Sequence, residues 1–204
     1  MSFDRLKFWR DPTIGEWADS FPTCRPEFYL DLHNISAMIV NAMEKYAKKS
    51  WGILEIGCGT GRNLVALKRA GFRNVKGIEI SERAIAVGRA RFPEYAEIEV
   101  IHAPVEEAIK TLKPVSVIFS SGLLMHLPPE LDWVMGEISR KARQLILTNE
   151  GEVSRKETIH AWRRDYQQVF EGLGWRQVEM STGDKCPPLP PTTIKRVFVR
   201  QEKI

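Results

Sequence analysis

The fold is decided by one stretch, Ile53-Leu54-Glu55-Ile56-Gly57-Cys58-Gly59-Thr60-Gly61. Its first half is apolar apart from one acidic residue, which is typical of a buried parallel strand. Three glycines follow at alternate positions, and the segment after Gly61 has the apolar spacing of a helix. A strand, a glycine turn and a helix in this order predict the ligand crevice of a doubly wound α/β sheet.

The glycines and a downstream acidic residue point to the same kind of ligand. Glycine permits the positive φ angles of a sharp turn, and it lets a ligand approach the backbone. The following helix presents free N–H groups towards that ligand. A second apolar strand, residues 75–79, ends in Glu79, 22 residues after Gly57. At about this interval an acidic side chain accepts hydrogen bonds from a ribose diol, so we expect a nucleoside.

The glycine spacing narrows the choice of nucleoside. A dinucleotide-binding GxGxxG loop would need its third glycine at Arg62, where helix and strand must pack closely, so that alternative is disfavoured. The pattern ExGxGxG instead resembles the first motif of the class I methyltransferases, which bind S-adenosylmethionine. The resemblance covers about residues 35–150.

This resemblance implies a set of cofactor-binding residues. Gly57, Gly59 and Gly61 would form the floor under the methionine and ribose portions, Glu55 would orient the loop or the amino group, and Glu79 would bind the ribose hydroxyls. Tyr29 lies shortly before the first helix, from which related enzymes reach the cofactor. The full set implied is Tyr29, Glu55, Gly57, Cys58, Gly59, Gly61, Asn63, Glu79, Ile80, Ala103, Pro104, Val105, Ser120, Ser121 and Leu123.

The third strand end departs from the family pattern. Class I methyltransferases commonly carry an acidic residue there that binds the adenine amino group, and this chain has Pro104 in its place. Adenine would then be held by backbone groups near Ala103 and Val105, or by Glu106.

Residues 120–128 resemble the fourth-strand motif of the same family, with Leu123 against the sulfonium. They lack the Asp/Asn-Pro-Pro-aromatic element of enzymes that methylate exocyclic amines of bases, so DNA amino methylation is disfavoured. The serines at this strand end cannot replace the acidic ligands of a magnesium site. No metal is expected, since metal-ligand spacing is also missing among His33, His102, His126 and His160.

Two residues are candidates for acid–base or substrate contacts. Methyl transfer is an in-line displacement that needs positioning and a dry pocket, and a base is optional. His126 has the ordinary pKa for taking a proton from an attacking hydroxyl or amine, and a packed structural histidine is the alternative. Glu150, next to Asn149, could bind a cationic substrate or cap the next helix.

Strand and helix patterns alternate along the chain. They predict a doubly wound, mostly parallel seven-stranded sheet with helices on both faces and an antiparallel last strand. Helices are expected over residues 35–48, 81–91, 105–112, 129–141 and 155–173, the last from a long apolar stripe that stops at Gly174. The proline cluster at 187–191 predicts a loop between the last two strands.

Composition fits one globular domain. The chain has 204 residues, of which 43% are hydrophobic and 27% charged. No apolar run reaches the length of a membrane span and residues 1–10 lack a signal-peptide core, so we expect a cytoplasmic protein without membrane contact. The three cysteines, an odd number without metal-ligand spacing, fit a reducing compartment. The net charge of +4 comes from dispersed basic residues, which disfavours a nucleic-acid partner. The sequence does not fix the oligomeric state.

The N-terminal segment, residues 1–34, is rich in aromatic residues and prolines. We expect it to be a lid over the crevice, followed by a methyltransferase domain over residues 35–204. A second resemblance, to small methylases of pseudaminic acid biosynthesis, is carried by short matches at residues 8–10, 15, 17, 126–128 and 164–166. It implies a small sugar or sugar-nucleotide acceptor.

Three functions stay open at this point. The leading one is methyl transfer from S-adenosylmethionine to an oxygen or nitrogen of a small molecule. The others are methylation of RNA or protein, and a non-catalytic subunit that keeps the cofactor site.

Overall fold

A computed structural model describes residues 5–10, 25–152, 161–183 and 192–201. One sheet carries all the strands found in these ranges, which are β1 Gly52–Ile56, β2 Asn74–Glu79, β3 Glu99–His102, β4 Val115–Ser121, β5 Ala142–Gly151, β6 Trp175–Thr182 and β7 Thr193–Arg200. The helices are α1 Arg5–Arg10, α2 His33–Tyr46, α3 Arg62–Arg69, α4 Glu82–Arg91, α5 Val105–Thr111, α6 Trp133–Lys141 and α7 Tyr166–Gly172.

The strand order is β3-β2-β1-β4-β5-β7-β6. Strands β1 to β5 pair in parallel, whereas β7 lies antiparallel between β5 and β6. The order reverses at β1, and a doubly wound sheet opens its crevice at that point, beyond the carboxyl ends of the strands. The fold class predicted from the sequence is confirmed.

Helices cover both faces of the sheet. On one face, α2, α3 and α4 pack over β1 through buried side chains such as Ile39, Leu64 and Ile85. On the other face, α5, α6 and α7 pack through side chains such as Ile109 and Ile138. The parallel strands are therefore buried on both sides, which explains why β1 and β4 read as nearly continuous apolar runs.

The helix predicted over 155–173 is wrong over residues 161–165, and its first part, residues 155–160, lies outside the described residues. Residues 161–165 are not helical, and α7 begins at Tyr166, where the Asp165 side chain accepts a hydrogen bond from the Gln168 amide and caps the helix. The Trp162 amide donates to the Met125 carbonyl at 2.8 Å, so this segment is held by a tertiary contact instead.

Other helix ends and loops follow the sequence pattern to different degrees. Ser81 caps α4, as its side chain accepts from the Ala84 amide at 3.2 Å. The helix expected over 129–141 is divided, because residues Pro129–Leu131 form a 3₁₀ turn before α6 begins at Trp133. Residues 153–160 and the proline cluster lie outside the described residues. Among the residues that are described, no helix is both long and apolar enough to cross a membrane.

Candidate active site

The glycine loop after β1 has the backbone that its sequence predicts. Gly57, Gly59 and Gly61 have φ angles of +70°, +54° and +69°, in the left-handed region that favours glycine. The amides of Gly57 and Cys58 donate to the Ile78 carbonyl at 2.8 and 3.0 Å. These bonds fix the loop to the end of β2, beside the crevice.

The three glycines have different neighbours. A Cβ atom on Gly57 would lie 2.8 Å from Cβ of Leu123, and one on Gly61 would lie 2.2 Å from Cε2 of Tyr95. A Cβ atom on Gly59 would meet no atom of the described part of the chain within 4 Å. Gly57 and Gly61 are therefore packed against the protein, whereas Gly59 presents open backbone to a ligand.

Tyr95 supports the loop from behind, a role that the sequence analysis missed. Its ring is fully buried, and its hydroxyl donates to the Gly59 carbonyl at 3.2 Å and lies 3.3 Å from Sγ of Cys58. Burial raises the pKa of the Cys58 thiol. The Cys58 side chain thus packs beneath the glycine loop, against Tyr95. In the sequence, Tyr95 is visible only as an aromatic residue between two predicted strands.

Glu79 reaches the loop from the end of β2, as predicted. Its Oε2 accepts a hydrogen bond from the Gly59 amide at 2.7 Å, and its Oε1 accepts one from the Ser81 amide at 2.8 Å. The side chain is buried, and burial raises the pKa of its carboxyl group. An acidic group thus stands next to the open backbone of Gly59.

Glu55 lies on the sheet face covered by α2 and α3. Its Oε1 accepts from Nδ2 of Asn63 at 2.7 Å, and Oδ1 of Asn63 accepts from Oγ of Ser36 at 2.8 Å. Its Oε2 is buried without a hydrogen-bond partner in the described part of the chain, and burial raises the pKa of Glu55 to about 8. This network joins β1 to α3, the two elements that the glycine loop connects, and to α2.

A crevice of about 380 Å³, open to solvent, lies in front of the loop. The indole N–H of Trp9 is buried and has no hydrogen-bond partner among the described residues. The residues that line the crevice are Trp9, Gly57, Ile78, Glu79, Ile80, Ala103, Pro104, Val105, Leu123, His126 and Leu127.

Tyr29, Ser120 and Ser121, which are predicted cofactor residues, are not among the residues that line the crevice. Tyr29 is 39% exposed on a 3₁₀ helix, Pro26–Tyr29, that packs against α4, and its ring lies edge-on to Phe28. The Ser120 hydroxyl donates to Oε1 of Glu150 at 2.6 Å, and the Ser121 hydroxyl accepts from Asn149 at 2.9 Å. From the N-terminal segment it is Trp9, and not Tyr29, that is found on the crevice wall.

The two catalytic candidates have opposite environments. His126 lines the crevice, and its ring centroid lies 4.7 Å from that of Trp9. Glu150 has no exposed surface, and its oxygens accept hydrogen bonds from Ser120 and from the amides of Leu123 and Met125. Because its carboxylate is buried beneath residues 123–125, the geometry does not support a direct contact between Glu150 and a substrate.

The described ranges contain no cluster of three or more histidine, cysteine, aspartate or glutamate side chains that could hold a metal ion. The crevice is lined by one carboxylate, one imidazole and aromatic or aliphatic side chains.

Comparisons with known proteins agree with this geometry. Residues 53–144 match a family model described as a methyltransferase domain. Ribosomal protein L11 methyltransferase from Thermotoga petrophila is 25% identical over 140 residues, which are 66% of this chain and 52% of that protein. The chain therefore spans about half the length of the curated relatives it matches.

Solved structures share the fold at low sequence identity. Magnesium protoporphyrin IX methyltransferase from Synechocystis PCC 6803, with SAH bound, has a TM-score of 0.74 and 13% identity, covering 97% of this chain and all of that one (100%). The amino pentose methyltransferase CalS10 from Micromonospora echinaspora, with SAM bound, has a TM-score of 0.60 and 14% identity, covering 84% and 92%. In its motif, its sheet order and the methyltransferase domain model that residues 53–144 match, the chain is similar to the class I S-adenosylmethionine-dependent methyltransferases.

Proposed function

We propose that the protein transfers the methyl group of S-adenosylmethionine to an oxygen or nitrogen of a small molecule. The observation that carries this proposal is the hydrogen bond from the Gly59 amide to the carboxylate of Glu79, a residue that lines the crevice together with Gly57. The buried Trp9 N–H, on the wall of the same crevice, is a donor without a hydrogen-bond partner among the described residues.

The chain's own residues divide the work of binding. Gly57 and Gly59 lie under the methionine and ribose portions, and Glu79 accepts hydrogen bonds from the ribose hydroxyls. Ile80 and the segment 103–105 enclose the adenine. When bound, the cofactor supplies an electrophilic methyl group on a sulfonium. The protein contributes alignment and exclusion of water.

His126 is the side chain that we propose for proton removal from the acceptor. It lies on the crevice wall against Trp9, and a neutral imidazole can accept a proton near pH 7. His126→Phe keeps a ring against Trp9 and removes both nitrogens. We expect its kcat to fall by about 100-fold or more while SAH affinity stays within a few fold. Turnover retained within a few fold would remove His126 from the mechanism.

Residues 1–34 are proposed as a lid over the crevice. Phe8 is buried, and Trp9 packs edge-on against it at 4.8 Å while forming part of the crevice wall. The described residues 25–34 include an ion pair between Glu27 and Arg83 at 2.9 Å, which joins this segment to α4. Both ends of the segment therefore contact the edge of the crevice or its neighbouring helix.

The small-molecule acceptor is favoured by two of the solved relatives. Their names state a magnesium porphyrin and an amino pentose as the molecules involved. The short matches to sugar-biosynthesis methylases point the same way. A protein acceptor is the second candidate, because the curated relative that aligns over 140 residues is named for ribosomal protein L11.

Calorimetry with SAH tests the cofactor site first. We expect the wild type to bind SAH and Glu79→Ala to bind it at least about tenfold more weakly, since buried charged hydrogen bonds are lost. Glu99→Ala is the matched control, because Glu99 is an exposed acid that pairs with Lys76 at the other end of the sheet. Equal affinities for the two variants, or no binding by the wild type, would refute the proposal.

An acceptor screen with radiolabelled methyl donor tests the substrate class. Pools of sugars, sugar nucleotides and other small alcohols and amines are compared with ribosomal proteins and with RNA. Label in the small-molecule pools supports the proposal, whereas label only in protein or RNA overturns it. Cofactor binding without turnover in any pool would favour a non-catalytic subunit.

A further inference from the structure

Residues 122–127 form a loop after β4 that shapes one wall of the crevice. Leu123 packs against Gly57, whose added Cβ would lie 2.8 Å from it. Leu123, His126 and Leu127 all line the crevice. The backbone path of this loop therefore decides where these three side chains stand relative to a ligand.

Glu150 accepts hydrogen bonds from two backbone amides of this loop. Its Oε1 accepts from the Leu123 amide at 3.3 Å and its Oε2 from the Met125 amide at 3.2 Å. The Ser120 hydroxyl, at the end of β4, donates to the same Oε1 at 2.6 Å. The carboxylate is fully buried, so these donors take the place of water around its charge.

Arg164 donates hydrogen bonds to two backbone carbonyls of the same loop. Its Nη1 donates to the Leu124 carbonyl at 3.3 Å and its Nη2 to the Leu127 carbonyl at 2.7 Å. The guanidinium also pairs with Asp132 at 2.6 Å, and only 7% of the arginine side chain is exposed. Glu150 therefore accepts hydrogen bonds from two amides of this loop, and Arg164 donates hydrogen bonds to two of its carbonyls.

We propose that Glu150 and Arg164 are positioning residues that together fix loop 122–127, so that Leu123 and His126 face the bound cofactor. This inference rests on the proposed function for its consequence in catalysis. Charge-assisted hydrogen bonds are stronger than neutral ones, and a buried group that loses its partner is costly. Removal of either side chain should therefore loosen the loop and weaken cofactor binding.

The test compares Glu150→Gln and Arg164→Met with Glu152→Gln. Glu152 is a matched control because it lies two residues from Glu150 and is also buried, but it pairs with Arg196 at 2.8 Å. We expect about tenfold weaker SAH affinity for the two loop variants and a change within twofold for Glu152→Gln, at a temperature where all are folded.

The double variant Glu150→Gln/Arg164→Met is the sharper measurement. If both side chains act through one loop, its affinity loss should be close to that of the weaker-binding single variant. Arg164→Lys, which keeps a donor, should recover part of the affinity. Multiplying losses in the double variant, or unchanged affinity in both single variants while the wild type binds SAH, would overturn the inference.

Hydrogen exchange of the ligand-free protein separates this inference from the cofactor proposal. Peptides that cover 122–127 should exchange faster in Glu150→Gln and in Arg164→Met than in the wild type or Glu152→Gln. Faster exchange in a protein that does not bind SAH would refute the cofactor proposal alone. Unchanged exchange would refute the positioning role even if the wild type binds SAH.

Discussion

Replacing Gly61 by alanine should destabilise the protein by about 2–5 kcal/mol. The φ angle of +69° is one that an L-residue adopts at a cost of about 1–2 kcal/mol. The added Cβ would also lie 2.2 Å from Cε2 of Tyr95, whose ring is fully buried and cannot move into solvent. Overpacking of this kind costs about 1–3 kcal/mol more.

Gly71→Ala separates the two costs. Gly71 has a φ angle of +90°, and its added Cβ would meet nothing within 4 Å, so this variant carries the backbone cost without the clash. Urea unfolding at 25 °C should therefore show Gly61→Ala to be about 1–3 kcal/mol less stable than Gly71→Ala. If the two variants agree within about 0.5 kcal/mol, Tyr95 does not lie beneath the glycine loop.

Three further predictions use the same measurements. Gly59→Ala should lose about as much stability as Gly71→Ala, because its added Cβ meets no atom of the described residues within 4 Å. It should bind SAH at least about tenfold more weakly by calorimetry, and unchanged affinity would mean that no ligand lies against Gly59. Burial raises the pKa of Glu55 to about 8, so the folded state binds more protons than the unfolded chain between the ordinary glutamate pKa and pH 8. The free energy of unfolding should fall as pH rises through that window, and Glu55→Gln should flatten the fall; an identical slope would contradict the assignment. Arg196→Met leaves the buried Glu152 carboxylate without its bidentate partner, so the free energy of unfolding in urea should fall by about 3–5 kcal/mol. The double variant Glu152→Met/Arg196→Met should restore most of this loss. A double variant no more stable than the single one would show that the cost does not come from the unpaired carboxylate.

The part of the site closest to β1 was predictable because it is local. A buried strand, alternate glycines and an acid at the end of the next strand all lie within residues 53–79, and each has a requirement that is visible in the sequence. Gly57 and Glu79 accordingly line one crevice, and the Gly59 amide donates a hydrogen bond to Glu79. Ile80 and residues 103–105 line the same crevice, because the parallel strands that precede them end at the same edge of the sheet.

The roles of Tyr95, Glu150, Arg164 and Trp9 depend on contacts between distant parts of the chain. Tyr95 meets the loop across 36 residues, and Arg164 reaches the Leu124 carbonyl across 40. Such partners have no fixed spacing in sequence. Glu150 looked like a candidate for catalysis because it follows a strand, but its carboxylate turned inwards to the amides of loop 122–127.

The sequence by itself determined the sheet and its glycine loop, because hydrophobic periodicity and glycine's backbone freedom act over a few residues. Tertiary structure alone decided which buried acids bind the backbone, which aromatic ring closes the crevice, and where the helix after β5 begins. Those outcomes depend on which polar groups lose water together, and only the packed chain brings them close enough to compensate one another.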